Sequence, residues 1–140
     1  MAARALQDPT IIDAVVSDHR NAEEAVLYPF MESKLGKEGH SFTEHSNHEH
    51  AELEGKLVAA VLASREGDWA GLAQQMGDAQ KAFEHHRHDE EDKYLPELAQ
   101  ASQADELREL TAQWAEAKRK APLSELSRPL AKSSWETAGL

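Results

Sequence analysis

Apolar residues recur at three- and four-residue steps in four separate stretches of the chain, and nowhere do they alternate as in a strand. The first stripe is Ile12, Val15, Val16, His19, Glu23, Val26 and Phe30, which predicts a helix over about residues 9–34. Pro9 suits its first turn with Asp8 as N-cap, Pro29 bends or ends it, and Gly36 and Gly39 close it. The second stripe, His50, Leu53, Leu57 and Val61, predicts a helix over 43–64 that starts near Ser41 or Thr43. Arg65-Glu66-Gly67-Asp68 makes the next turn, with Asp68 as cap. The third stripe is the most regular: Trp69, Leu72, Met76, Ala79, Phe83, His86 and Glu90, continued by Tyr94 and Leu98, predict a helix over 68–98. Leu107, Leu110 and Trp114 place a fourth helix over 103–120, with Lys118, Arg119 and Lys120 in its last turn. Residues 121–140 hold two prolines and four serines without a period and read as a flexible tail. The expected fold class is all-α, an up-down helical bundle forming one domain over residues 1–120.

Five of the residues on these stripes are polar: His19, Glu23, His50, His86 and Glu90. Burying an ionised group costs several kcal/mol unless it is paired or bound to metal. Four of them, all but His50, belong to a repeated frame. His19-Arg20-x2-Glu23-Glu24-x4-Pro29 recurs as His86-Arg87-x2-Glu90-Glu91-x4-Pro96, each with an aromatic and an aliphatic residue just before the proline. Residues four apart share a helix face, so each copy projects an imidazole beside a carboxylate. The alternative is a set of buried His–Glu hydrogen bonds without metal. Periodicity ranks Glu23 and Glu90 ahead of Glu24 and Glu91, but Glu91 is close enough in angle to replace or join Glu90. His45 is intermediate, whereas His40, His48, His85 and His88 are expected to face water. Tyr28 and Tyr94 are packing residues or donors to the ligands.

Composition narrows the chemistry. The chain has no cysteine, which excludes a thiolate site, a disulfide scaffold and a cysteine nucleophile. A net charge of −11 argues against nucleic acid and anionic membrane as partners. The longest apolar run, Leu57 to Ala63, falls short of the roughly 20 residues of a transmembrane helix, and residues 1–9 show no secretory core, so a cytoplasmic location is expected. Nitrogen and oxygen donors suit iron, manganese or zinc, and a His-rich site with bridging carboxylates suits a non-haem iron pair best.

These motifs resemble the hemerythrin family in the form of the bacterial HHE cation-binding domains. His19-x3-Glu23-Glu24 with Leu27-Tyr28-Pro29 is similar to the family's second helix, Glu44-His45 through Glu52 to its third, and His86-x3-Glu90-Glu91 with Tyr94-Leu95-Pro96 to its fourth. The resemblance implies a four-helix bundle holding two irons bridged by carboxylates and an oxygen atom, which bind dioxygen or react with peroxide or nitric oxide. Two departures are visible. No histidine precedes His19, so the family's first ligand helix is expected to be missing, and position 46, four before His50, is Ser.

The expected metal ligands are therefore His19, Glu23, His50, His86 and Glu90, joined by His45 and Glu91. The cofactor is iron, two ions or one, in a pocket lined by Val26, Leu53 and Phe83. The expected partner is a diatomic or peroxide ligand, with no nucleic acid and no membrane. Residues 103–120 or a second protomer, as in a homodimer, supply the fourth wall. A dioxygen-activating oxidase and a metal-buffering or structural bundle are the alternative functions.

Overall fold

Gly36 and Gly67 stand at the two ends of the helix over Lys37–Glu66. A computed structural model describes residues 20–120, and they form four helices with no strand among them. Helix α1 (20–35) is already wound at residue 20, widens into a π turn at Glu23–Leu27 and continues as α-helix over Tyr28–Leu35. Helix α2 is Lys37–Glu66. Helix α3 (69–100) runs over Trp69–Asp89, widens at Glu90–Tyr94 and resumes over Leu95–Gln100. Helix α4 is Ala104–Arg119. The expected all-α bundle is what the chain forms. The predicted start at Pro9, the cap at Asp8 and the tail at 121–140 lie outside the described residues.

The helix limits shift for physical reasons. Gly36 alone reverses the chain, at φ 59°, so α2 begins at Lys37 and takes in Gly39. Gly39 acts in packing: a Cβ there would fall 2.3 Å from the Met31 carbonyl oxygen, so only glycine lets α1 and α2 approach this closely. At the other end of α2, Gly67 adopts φ 74° and Asp68 caps α3 by accepting a hydrogen bond from the Gly71 N–H at 2.9 Å, as expected. A capping box starts α4, in which Glu106 accepts from the Gln103 N–H at 2.8 Å and also pairs with Lys34 on α1.

Each π turn precedes a proline. Pro29 and Pro96 lack an N–H, and each ring would press on the carbonyl four residues back in a regular helix. The turns are widened just before them, where the Tyr28 N–H reaches the Glu23 carbonyl and the Leu95 N–H reaches that of Glu90. The two π turns occupy equivalent positions of the repeated frame. Each begins at the glutamate that follows the frame's histidine by four residues.

Leu27, Tyr28, Met31, Phe42, Tyr94 and Leu98 form the buried core near the α1–α2 turn, with Leu110 and Trp114 of α4 packed against it. Helix α4 lies against the π turn of α1. Tyr94 stacks on Phe42 with ring centroids 4.2 Å apart. The far half of the α2–α3 hairpin differs from expectation. Ala60, Val61, Ala63 and Ala79 are buried, but Trp69, Met76 and Phe83 of the predicted seam are 65 %, 39 % and 45 % exposed. Within the described residues α1 begins level with Glu54, 3.5 Å from Arg20, so that half of the hairpin packs chiefly on itself. No helix among the described residues is long and apolar enough to cross a membrane.

Candidate metal centre

Directly above the core, three helices bring Glu23, His50 and His86 together, each 2 % exposed or less. One ligand atom from each lies within 4.8 Å of the others. His50 Nε2 stands 2.8 Å from Glu23 Oε2 and 3.0 Å from His86 Nε2. Glu23 Oε1 lies 3.9 Å from His86 Nε2, and Glu90 Oε1 approaches the same nitrogen at 3.3 Å. That Glu90 oxygen is buried and accepts no hydrogen bond.

The surrounding groups fix how these donors point. His86 Nδ1–H donates to Glu49 Oε2 at 2.8 Å, which leaves Nε2 facing the cluster. The Tyr28 hydroxyl donates to Glu23 Oε2 at 3.0 Å. Of the two tyrosines considered as donors, Tyr28 serves the cluster, whereas Tyr94 packs on Phe42. Ser46, at the position where the resemblance calls for histidine, is fully buried.

Crowded acids shift the titrations. Burial disfavours the charged form of His86, but hydrogen bonds to Glu23 and Glu49 and the charge of Glu90 outweigh it, and its pKa is raised to about 9. Burial, then the charge of Glu23, raises Glu90 to about 8. Without a cation the cluster therefore retains protons that a metal ion displaces on binding. Two imidazoles and two carboxylates converging in a dry interior are a donor set that fits a divalent transition metal.

The structure separates the paired acids. Glu91 stays exposed and binds Arg87 at 2.8 Å, as Glu24 binds Arg20 at 2.6 Å in the other copy of the frame. In both copies the arginine holds the second glutamate outside while the first turns in. Glu91 is thus not brought to the cluster. Nor is His45, which joins Glu49, His85 and Asp89 on the outer face between α2 and α3. His19 lies outside the described residues. Val26 lines a groove between α1 and α4 instead of the expected pocket. Reading the sequence missed Glu49, His85 and Asp89, although His45-x3-Glu49 and His85-x3-Asp89 repeat the spacing of the two frames.

This fold and this site define a metal-binding helical bundle. The family model described as hemerythrin HHE cation binding domain matches residues 10–98, and the chain belongs to that family. No curated protein and no solved structure matches the chain.

Proposed function

We propose that the buried cluster holds non-haem iron and that the protein there binds or reacts with a small oxidant: dioxygen, peroxide or nitric oxide. The observation that carries this reading is the convergence of His50 Nε2, His86 Nε2 and the Glu23 carboxylate, all buried and drawn from three helices. His50 and His86 would be terminal ligands, Glu23 and Glu90 the anionic ones. His19, four residues before Glu23 as His86 is before Glu90, is the proposed additional donor for a second ion. Reduced iron with an open coordination position would supply the electrons and the binding point for the oxidant.

The chain's own part is to orient and to exclude water. Glu49 holds the His86 tautomer, and Tyr28 holds the Glu23 carboxylate through one oxygen. The core below, with Met31 and Leu98 1 % exposed, closes that side to solvent. Metal analysis of protein purified without added metal or chelator tests the reading. Iron at about one or two ions per chain is expected, with a visible absorption change on adding oxygen, peroxide or nitric oxide to the reduced protein. Zinc alone, or no metal, overturns it.

A further inference from the structure

Outside the bundle interior, α2 and α3 present a second set of donors on their solvent side. His45 and Glu49 on α2 are four residues apart, as are His85 and Asp89 on α3, so the antiparallel helices set two imidazole–carboxylate pairs face to face. One ligand atom from each of the four lies within 4.8 Å of all the others. His45 Nε2 is 3.2 Å from both Glu49 Oε1 and Asp89 Oδ2, and His85 Nδ1 is 2.7 Å and 3.7 Å from the same two oxygens. Bonds of about 2.0–2.1 Å in a tetrahedron place neighbouring ligand atoms about 3.3 Å apart. The measured separations bracket that value.

We propose that His45, Glu49, His85 and Asp89 form a second, solvent-facing site for a divalent transition-metal ion of the zinc type, distinct from the buried centre. Two imidazoles with two carboxylates give a neutral complex with such an ion, and N2O2 donors favour borderline cations over calcium or magnesium. The site opens into a cleft of about 510 Å³. Lys56 and Lys81 also line it, but they pair with Glu52 and Asp78, which offsets their repulsion of a cation.

Exposure differs sharply between the two centres. His45 and His85 side chains are 47 % and 66 % exposed, so an ion here exchanges with solution, while the buried donors are sealed. Glu49, 8 % exposed, belongs to both: Oε1 faces the outer site and Oε2 accepts from His86 Nδ1. An ion at the outer site therefore draws on the same carboxylate that orients a buried ligand.

The test is equilibrium dialysis of the purified full chain against Zn²⁺, counting zinc bound in excess of the metal already present. One additional equivalent, removed by a mild chelator while the original metal stays, is expected in the unaltered protein. His45→Ala with His85→Ala should weaken that equivalent at least about 100-fold and leave the original metal in place. Asp89→Asn, a nearly isosteric change at a partly exposed side chain, should weaken it as well with the fold intact by circular dichroism. Co²⁺ in place of Zn²⁺ should show the intense visible bands of tetrahedral coordination in the unaltered protein only. No additional equivalent, or one indifferent to all these substitutions, overturns the proposal. Glu23→Gln should leave the exchangeable equivalent in place even where the buried metal is lost, so this site stands or falls apart from the iron reading.

Discussion

Glu49 Oε2 accepts the Nδ1 proton of His86 at 2.8 Å, which fixes the imidazole with Nε2 turned toward Glu23, Glu90 and His50. A carboxylate in this position also raises the basicity of the nitrogen that faces the metal. Glu49→Gln keeps the shape and removes the charge. It should lower the affinity of the buried centre for metal by about ten- to a hundredfold, measured by competition with a chelator of known strength. Unchanged affinity would mean that helix packing alone sets the orientation of His86.

Tyr28 has two roles that a single substitution separates. Its ring lies in the core and stacks on His50 with centroids 6.2 Å apart, while its hydroxyl donates to Glu23. Tyr28→Phe retains the packing and removes only the donor. If packing were its whole role, the change would be neutral or slightly stabilising. The hydrogen bond to a buried carboxylate predicts instead a loss of about 1–2 kcal/mol in urea unfolding of the metal-free protein.

The helices were legible because their burial follows the helical period, and so were Glu23, His50, His86 and Glu90, which sit on the apolar stripes. The π turns carried a subtler signal. The sequence keeps four-residue steps through Glu23, Leu27, Met31 and Leu35, and again through His86, Glu90, Tyr94 and Leu98, where a regular helix would drift about 40° per step. A wider turn absorbs that drift, and Leu27, Met31, Tyr94 and Leu98 are buried accordingly. The outer site was not legible in the same way. A helical wheel gives the angle of His85 or His45 but not which neighbour lies at that angle, so His85 read as solvated and His45 as a further ligand of the buried centre. Gly39 misled for the opposite reason: glycine ends helices and also lets them touch, and only the packing of Met31 tells which.

That contact gives a paired prediction. Gly39→Ala places a Cβ 2.3 Å from the Met31 carbonyl oxygen and 3.0 Å from Glu32 Cα, both backbone atoms that cannot swing aside. It should destabilise the protein by about 2 kcal/mol or more, read from thermal or urea unfolding. Gly55→Ala lies in the same helix with nothing within 4 Å of the new Cβ. There the gain in helix propensity should stabilise by about 0.5–1 kcal/mol. Similar effects at both positions would refute the close approach of α1 and α2.

The metal-free protein should lose stability as pH rises, and the sign follows from which state holds more protons. His86 is raised from 6.5 to about 9, so its contribution is complete below pH 6.5 and disappears as pH passes 9. Glu90 is raised from 4.5 to about 8, so its preference for the folded state is complete below pH 4.5 and is lost through pH 8. Across the whole span these two groups together bind more protons in the folded state than in the unfolded chain, and their contribution to the unfolding free energy falls with pH. Metal binding runs the other way, because the ion competes with these same protons and gains affinity as they leave. Urea unfolding in excess chelator should therefore show decreasing stability from about pH 6 to pH 9, while the stabilisation added by metal grows over that range. Glu90→Gln should flatten the metal-free profile below about pH 8, since the variant cannot ionise there. A metal-free protein that gains stability toward pH 9 would show that the cluster is held together as ion pairs without the protons assigned to it.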